Sequence, residues 1–394
     1  MKSLELFSGA GGMAKGLELA GFDHSAFVEF NKDACATLRL NFDPRKVYEG
    51  DIREFNFALL RGVDIVAGGP PCQPFSLGGK HKASDDSRDM FPEAIRAINV
   101  TQPRAFVFEN VKGLLRQSFA DYFEYIRLRL TYPESIAPTK KSWWNHLERL
   151  RALRFENYTG VKYNVQFSLI NAADYGVPQK RERVVIVGTR ADVNRHWTFP
   201  TVTHSEARLI WDKYVSGEYW DRFDLPKPKR KDLPQNVALR IEKLRKSYGL
   251  FPPSELPWQT VRDALRGIPE PNTAHGIPDH IFRDGARSYP GHTGSAIDLP
   301  AKTIKAGGHG VPGGENMLRY SDGRIRYFTV HEAKLIQSFP ADFAVTGSWG
   351  EALRQIGNAV PVILGRTIGT QLFELVSDKR IGSVSRLGKV REPV

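Results

Sequence analysis

The chain has 394 residues, 41% of them hydrophobic and 25% charged, so it can bury a substantial core in one large or two modest domains. Its 56 lysines and arginines against 44 acids leave a net charge of +12, which suits a polyanionic partner, nucleic acid first among them. Two cysteines, Cys35 and Cys72, exclude a disulfide scaffold and a four-cysteine zinc site, so we expect a reducing, intracellular compartment and no metal.

Short apolar runs alternate with helical patterns through the first half, which predicts an α/β fold with a mostly parallel sheet and helices on both faces. Predicted strands lie near residues 2–7, 24–30, 47–50, 63–67, 104–108, 162–170 and 183–189, and predicted helices near 12–20, 31–41, 87–100 and 111–130. The first strand follows Met1 without a charged leader, and no apolar run is expected to reach the roughly 18 to 20 residues of a membrane span. We therefore expect no membrane partner.

Composition divides the rest of the chain. Residues 131–160 carry prolines, two tryptophans and a basic helical stretch, which predicts a peripheral insertion in a first domain over 1–199. Residues 200–325 are rich in Pro, Gly, Trp and Lys and predict a second, smaller domain. Within it, residues 227–246 contain eight Lys or Arg and two acids. The resulting charge of +6 is half of the net charge of +12 of the whole chain. Helical patterning returns over 326–394, which is expected to complete the first domain.

Three predicted strand ends carry groups that suit an adenosine-bearing cofactor. Glycines in the turn Phe7-Ser8-Gly9-Ala10-Gly11 let the backbone approach a ligand beside the N–H groups of a helix N-terminus. Glu29 ends the second strand and suits a ribose diol, Phe30 suits an adenine face, and Asp51 suits the adenine amino group. A packing turn, a core aromatic and a helix cap explain the same residues singly. The pattern leaves a nicotinamide dinucleotide and S-adenosylmethionine both open.

The fourth predicted strand ends in a loop, Gly68-Gly69-Pro70-Pro71-Cys72-Gln73-Pro74-Phe75-Ser76. An isolated cysteine is usually a small buried hydrophobe. This one has prolines on both sides and lies at the predicted carboxyl edge of the sheet, where a nucleophile is held in one orientation towards a cofactor. The loop therefore predicts that Cys72 is a nucleophile.

Four motifs stand in the order found in DNA (cytosine-5)-methyltransferases: Pro70-Pro71-Cys72-Gln73, Glu109-Asn110-Val111, Gln179-Lys180-Arg181-Glu182-Arg183 and Gln355-Ile356-Gly357-Asn358-Ala359-Val360. The chain resembles that family from Leu4 to about Phe373. The resemblance implies a Rossmann-like S-adenosylmethionine-dependent methyltransferase domain over 1–199 and a target-recognition domain over 200–325. It also implies that 326–394 returns to the catalytic domain and that the substrate is a flipped cytosine in duplex DNA.

The chemistry of that reaction accounts for the motif residues. Carbon 5 of cytosine is a poor nucleophile, so the Cys72 thiolate first adds to carbon 6. Glu109, at the tip of an apolar strand, is placed to donate a proton at N3. Strand alternation puts Gln179, Arg181 and Arg183 on one face, where two guanidinium groups suit the base O2, the glutamate or a phosphate. After methyl transfer a base removes the proton at carbon 5 and Cys72 leaves.

The resemblance also assigns binding residues. For the cofactor these are Phe7, Gly9, Gly11, Glu29, Phe30, Asp51, Ile52, Asn358 and Ala359. For the base or the DNA they are Gln73, Ser76, Asn110, Gln179 and Thr303, the last in an element, Ala301-Lys302-Thr303-Ile304, that resembles the family's anchor for recognition loops. The basic second domain is expected to contact phosphates of double-stranded DNA. We expect a monomeric, cytoplasmic, bacterial enzyme that is nucleoid-associated through DNA and modifies DNA for a restriction system.

Three alternatives stay open at this point. An oxidoreductase with a nicotinamide cofactor uses the same glycine turn but leaves the cysteine loop, Glu109 and the arginine strand unexplained. A methyltransferase-like binding protein without catalysis is disfavoured by the intact Cys72 and Glu109. A methyltransferase of RNA keeps the chemistry, and the large basic second domain favours duplex DNA over it.

Overall fold

The computed structural model describes residues 1–71, 89–136, 143–193, 195–305 and 314–377. Three of the predicted site residues, Cys72, Gln73 and Ser76, lie outside these ranges. Every other predicted site residue is described.

The first half of the chain forms a seven-stranded sheet with helices between the strands. The strands are β1 (Lys2–Leu6), β2 (Asp23–Glu29), β3 (Val47–Glu49), β4 (Ile65–Gly68), β5 (Ala105–Val111), β6 (Tyr163–Asn171) and β7 (Glu182–Arg190). The helices are α1 (Gly12–Leu19), α2 (Lys32–Asn41), α3 (Phe91–Thr101), α4 (Ala120–Thr131) and α5 (Trp143–Ala152). Each predicted strand corresponds to one of these, with ends displaced by three residues or fewer.

The predicted helix over 111–130 is wrong in its first part. β5 continues to Val111 because β7 pairs antiparallel with it as far as Arg183, so residues 109–111 have a hydrogen-bonding partner as strand. Two short 3-10 turns, Lys112–Leu115 and Gln117–Phe119, then precede α4. The end of β5 is therefore extended where the sequence pattern suggested a helix.

The sheet order is β3-β2-β1-β4-β5-β7-β6, and only β7 runs against its neighbours. All four residues of β4 are buried, as are the first six of β5, which is how strands covered on both faces behave. The predicted mostly parallel, Rossmann-like sheet is confirmed. Its central strands consist of apolar residues because helices cover both of their faces.

The register brings four strand ends into one row. Val28, Leu6, Gly68 and Phe108 are paired across β2, β1, β4 and β5. The next residue along each strand is therefore Glu29, Phe7, Gly69 or Glu109. Since parallel strands end at a common edge, groups far apart in sequence share one side of the molecule.

The region after the sheet consists of short elements joined by irregular chain. They are β8 (His204–Ser205), α6 (Glu206–Trp211), α7 (Glu218–Arg222), α8 (Gln235–Tyr248), β9 (Leu256–Pro257), α9 (Val261–Ala264), β10 (Ser295–Ala296), β11 (Met317–Arg319) and β12 (Ile325–Tyr327). β8 pairs with β9, and β10, β11 and β12 form a second small sheet. Such short elements fit the weak periodicity of this region, while domain boundaries at 199 and 325 stay a prediction.

The C-terminal part of the described chain consists of α10 (Val330–Ile336), α11 (Trp349–Asn358) and α12 (Val362–Val376). α12 crosses α1 so closely that a Cβ placed on Gly16 would lie 2.5 Å from the Gly365 carbonyl carbon. Leu364, Ile368 and Leu372 of α12 belong to the core cluster on one face of the sheet, together with alternate residues of β4 and β5, namely Ile65, Ala67, Ala105 and Val107. The end of the chain is thus packed directly on the helix that follows β1.

One apolar stretch is longer than the sequence reading allowed. Trp349–Val376 has the length and hydropathy of a membrane span, so the expectation that no run approaches that length is wrong. In the fold it is interrupted between α11 and α12, and 61% of its most apolar window is buried inside the protein. A helix in the core of a globular protein can be as long and as apolar as a membrane span, and it is buried in the same way as this stretch.

Candidate active site

A carboxylate with three backbone donors lies at the carboxyl end of β2. Glu29 Oε2 accepts from the N–H of Gly9 at 2.7 Å, and Oε1 accepts from the N–H groups of Phe30 and Asn31 at 2.9 and 2.8 Å. These bonds fix the side chain against the glycine turn while leaving it partly exposed. A fixed, half-exposed carboxylate at this position suits a ligand with paired hydroxyl groups.

The glycine turn itself has an unusual backbone. Phe7, Gly9 and Gly11 have φ of 51, 52 and 82°, and a phenylalanine in the left-handed region costs energy unless its surroundings impose it. A Cβ on Gly9 would meet no atom within 4 Å, so the space above this residue is open. The turn therefore presents bare backbone to a cavity beside Glu29.

Two further predicted cofactor residues lie at or just after the ends of β2 and β3. Phe30 is 75% exposed, so it is not a core aromatic and its ring is free to stack on a flat ligand. Asp51 follows β3, which pairs with β2 up to Glu29, and it is tied to Arg53 through the backbone N–H at 2.9 Å and the guanidinium at 3.0 Å. Ile52 is buried behind it. Asp51 is thus a helix cap, and β3 places it on the strand next to that of Glu29.

The C-terminal motif reaches the glycine turn from the far end of the chain. A Cβ on Gly12 would lie 3.1 Å from Ala359 Cβ and 2.2 Å from the Val360 carbonyl oxygen. Asn358, the last residue of α11, is exposed next to them. The glycine turn thus lies beside Glu29 on one side and beside Ala359 on the other, and an open backbone turn, a fixed carboxylate and an exposed ring fit an adenosine-bearing group.

Glu109 lies at the same sheet edge, two strands from Phe7. It is 8% exposed, and its Oε1 lies 2.6 Å from Nε of Arg183, which comes from the antiparallel strand β7. The two groups lie within salt-bridge distance, and Oε1 accepts no hydrogen bond from the described residues. The other oxygen, Oε2, would lie 3.5 Å from a Cβ on Gly69, so it faces the start of the cysteine loop.

The cysteine loop leaves the sheet at a fixed point. Asn110 Nδ2 donates to the Pro70 carbonyl at 2.9 Å, and the Met90 N–H donates to the Pro71 carbonyl at 3.2 Å. Asn110 is buried, so in the described residues its amide holds the loop rather than facing a substrate. Cys72 itself, with Gln73 and Ser76, lies outside the described residues.

The other cysteine has no nucleophilic character. Cys35 lies on α2, is fully buried, and its Sγ is 3.5 Å from the Glu29 carbonyl oxygen. Burial, with the negative charge of Glu29 next in importance, raises the pKa of this thiol to about 12. Cys35 therefore stays protonated at neutral pH.

Gln179 and Arg181 lie behind the wall of the site. Gln179 is fully buried, accepts from the Ile304 N–H at 3.0 Å and donates to Oε1 of Gln337 at 3.0 Å. Arg181 is 1% exposed and donates to the carbonyls of Ile304 and Gly357 at 3.3 and 2.8 Å. Burial, and then the like charge of Arg183, lower the pKa of Arg181. We call Gln179, Arg181 and Gln337 the buried polar cluster.

The buried polar cluster joins three segments of the chain. Gln337 Nε2 donates to the carbonyls of Ile356 and Ala359 at 2.6 and 3.2 Å, so the cluster holds the segment that carries Asn358. The same cluster holds Ile304, next to Thr303. It therefore connects the start of β7, the end of the 301–305 segment and the C-terminal rim of the cofactor cavity.

Thr303 lies at an open cleft of about 390 Å³ in front of this wall. Its Oγ1 donates to the Lys180 carbonyl at 2.7 Å, and the Lys180 N–H donates to the Ala301 carbonyl at 2.8 Å. The cleft is lined by Val111, Lys112, Gly113, Asn171, Lys180, Glu182, Arg183 and Thr303. Of the predicted site residues that the structure describes, Thr303 and Arg183 reach it.

Several residues of this site were not predicted from the sequence. Lys112 directly follows β5 and Lys180 lies inside a recognised motif, so their positions in the sequence could have indicated that they belong to the site. Gln337 gave no such indication, since a lone glutamine on a helix is ordinarily a surface residue. Among the described residues no group of three or more His, Cys, Asp or Glu is arranged to hold a metal ion.

Comparison with known proteins identifies the family. Residues 1–131 and 149–374 match the family described as C-5 cytosine-specific DNA methylase. The Type II methyltransferase M.NgoMIV of Neisseria gonorrhoeae is 32% identical over 374 residues, which are 94% of this chain and 97% of that protein. M.Eco47II of Escherichia coli is 31% identical over 381 residues, which are 95% of this chain and 79% of that one.

Solved structures agree on the fold. A mutant of Spodoptera frugiperda DNMT2 superposes with a TM-score of 0.57 and 17% identity, covering 95% of this chain and 99% of that one. The S. pombe Dnmt2 methyltransferase gives a TM-score of 0.56 and 18% identity over 95% and 98% of the two chains. At such identities the likeness concerns the methyltransferase fold alone.

These findings decide between the two cofactors that the glycine turn left open. The cofactor is S-adenosylmethionine, and the oxidoreductase alternative is excluded. The predicted enzyme class, a DNA (cytosine-5)-methyltransferase, is confirmed. The chain belongs to the C-5 cytosine-specific DNA methylase family.

Proposed function

We propose that this enzyme methylates carbon 5 of a cytosine flipped out of a specific duplex DNA sequence, through a covalent adduct of Cys72, as the modification enzyme of a restriction system. The observation that carries the proposal is the row of strand ends. Glu29 at the cofactor cavity, Gly69 at the start of the cysteine loop and Glu109 with Arg183 follow adjacent, register-paired positions. A base beside Glu109 is thus next to the start of the loop of Cys72 and on the same sheet edge as the proposed cofactor site.

We assign each predicted catalytic and cofactor residue a part in the reaction. S-adenosylmethionine supplies the methyl group, and Glu29, Phe30 and the Phe7–Gly11 turn would hold it. Cys72 adds to carbon 6 of cytosine, and the negative charge that reaches the ring is relieved by a proton from Glu109 at N3. Arg183 orients the Glu109 carboxyl group and lies near the O2 side of the base.

The remaining predicted residues act by positioning. Asn110 fixes the cysteine loop through Pro70, and the buried polar cluster holds Thr303 and Asn358 in place from behind. We assign Gln179 and Arg181 to this role, since neither side chain reaches the cleft. After methyl transfer, water or a side chain near carbon 5 accepts the proton that leaves this carbon.

Recognition of DNA is assigned to residues 200–325. Helix α8 carries Arg240, Lys243, Arg245 and Lys246, and only Ile241 of this helix is buried. An exposed basic helix supplies phosphate contacts, which position the protein without reading sequence. We propose that the enzyme acts as a cytoplasmic monomer associated with the nucleoid through these contacts.

The first test compares substrates and the cysteine variant. Purified protein is incubated with labelled S-adenosylmethionine and either genomic duplex DNA or tRNA, in parallel with Cys72→Ser. We expect label in DNA and not in tRNA, and a loss of at least about 10³-fold in Cys72→Ser because the covalent route is closed. Label in tRNA alone would establish the RNA alternative, and an active Cys72→Ser would refute the adduct.

The same preparation allows the adduct to be trapped. Duplex DNA in which 5-fluorocytosine replaces cytosine offers no proton at carbon 5, so elimination of Cys72 is blocked. We expect a protein–DNA complex that survives denaturing electrophoresis and is absent with Cys72→Ser. An active enzyme that forms no such complex would contradict covalent addition.

A further inference from the structure

Two lysines stand at the mouth of the cleft that contains Arg183 and Thr303. Lys112 follows the end of β5, and Lys180 precedes the start of β7; their side chains are 57% and 45% exposed. Both line the cleft of about 390 Å³. Among the described residues that line the cleft, three are cationic, Lys112, Lys180 and Arg183, and one, Glu182, is acidic.

Each lysine is paired with an acid that is itself exposed in part. Lys112 Nζ lies 2.9 Å from Oε2 of Glu182, whose side chain is 48% exposed. Lys180 Nζ lies 3.1 Å from Oε1 of Glu206 and 4.7 Å from the centre of the Trp258 ring. Ion pairs as exposed as these contribute little stability, so a phosphate oxygen can replace either carboxylate at small cost.

The second acid also connects the cleft to the basic helix. Glu206, at the start of α6, accepts from Arg240 of α8 at 2.7 Å on its Oε2 and from Lys180 on its Oε1. Lys180, Glu206 and Arg240 therefore form a continuous line from the cleft to α8. A DNA backbone that enters the cleft from the side of α8 would meet Arg240 first and Lys180 next, with Glu206 between them.

We propose that Lys112 and Lys180 form a phosphate clasp, in which Glu182 and Glu206 occupy the two lysines until the DNA backbone displaces them. The proposal rests on the proposed function and adds the DNA contacts of the catalytic cleft. The two glutamates compete with DNA phosphates for the two lysines. They therefore lower the affinity of the protein for any duplex that does not enter the cleft fully. Lysine and glutamate variants should then change DNA affinity in opposite directions, which a structural role would not produce.

The test measures how DNA affinity depends on salt. Fluorescence anisotropy with a mixed-sequence duplex that the wild type methylates gives log K against log salt for Lys112→Met, Lys180→Met and the double variant. We expect each lysine variant to reduce the slope by about 0.9, the value for one phosphate contact, and the double variant to reduce it by about twice that. Glu182→Gln and Glu206→Gln should bind the duplex severalfold more tightly than the wild type.

Lys2 provides the matched control. It is 55% exposed and paired with Asp23, and it lies at the start of β1, the opposite edge of the sheet from the cleft. Lys2→Met and Asp23→Asn should leave slope and affinity unchanged. Unchanged slopes in both lysine variants, or weaker binding in both glutamate variants, would overturn the clasp. A wild type that binds DNA but methylates none of it would instead refute the proposed function.

Discussion

At the scale of single residues, environment separates groups that look alike in the sequence. Cys35 is buried with its pKa raised to about 12, whereas Cys72 follows Pro70 and Pro71, the first of which is held by Asn110. The two arginines of the β7 motif differ in the same way. Arg181 is occupied by backbone carbonyls, and Arg183 is paired with Glu109.

Arg183 can be tested against a second arginine of its own strand. Arg183→Met removes the cation beside Glu109, so proton donation in the transition state loses its orientation and kcat should fall about 10²-fold or more. Arg190, at the other end of β7, has its Nε 2.7 Å from Asp192 Oδ1. Arg190→Met should leave kcat within about twofold, and the Kd for S-adenosylmethionine should hold in both variants.

The measurement is single-turnover methylation of duplex DNA, with cofactor binding followed separately by calorimetry. Equal losses in the two variants would show that Arg183 serves β7 rather than the chemistry.

At the scale of elements, the cofactor cavity depends on contacts between chain ends. α12 crosses α1 at Gly16, where a Cβ would lie 2.5 Å from backbone atoms of Gly365 and Arg366. The same C-terminal segment places Ala359 on Gly12 at the glycine turn. Because α1 begins at that turn, the helix crossing and the cavity are parts of one arrangement.

Gly16→Ala should separate these helices. Alanine favours an isolated helix by about 1 kcal/mol over glycine, so a gain in stability is the expectation from propensity alone. The crossing instead predicts a loss of about 1–3 kcal/mol from overpacking, with weaker binding of S-adenosylmethionine. Chemical denaturation and a cofactor titration measure the two effects.

Gly276→Ala is the matched control, since a Cβ there meets no atom within 4 Å. It should change stability by about 0.5 kcal/mol or less. A Gly16→Ala protein as stable as wild type would mean that α1 and α12 can shift to accommodate the methyl group, which would contradict the predicted overpacking.

At the scale of the whole molecule, stability is expected to depend on pH through buried histidines. Burial lowers the pKa values of His146, His204 and His331, that of His146 to about 4. The unfolded chain takes up protons near pH 6.5, where the folded chain does not. The stability from these neutral histidines is therefore complete above about pH 6.5 and is lost as the pH falls towards 4.

His146→Gln should reduce that loss. The imidazole of His146, on α5, forms hydrogen bonds of 3.0 Å with the hydroxyl groups of Tyr125 and Ser135. Glutamine places polar atoms at the same position but does not titrate. Thermal unfolding from pH 7.5 to 4.5 should show a smaller decrease of Tm in His146→Gln than in wild type. His196→Gln, at an exposed position, is the control, and identical profiles for wild type and His146→Gln would contradict the assignment.

Much of the fold and of the site was predictable from local sequence. The strands buried on both faces are apolar runs, their order along the chain is regular, and the glycine turn, Glu29 and Glu109 lie at or next to the ends of predicted strands. The contiguous motifs also identified the family and therefore the cofactor. Such features depend on neighbouring residues, so they are visible in a single chain read in order.

Only the tertiary structure decided which of those residues meet and which face inward. Strand register places Glu29, Phe7, Gly69 and Glu109 in one row, and the late antiparallel strand β7 brings Arg183 to Glu109. The buried polar cluster and the line from Lys180 through Glu206 to Arg240 join segments more than twenty residues apart. These contacts were beyond the sequence because burial and pairing are set by packing between distant segments, not by the identity of adjacent residues.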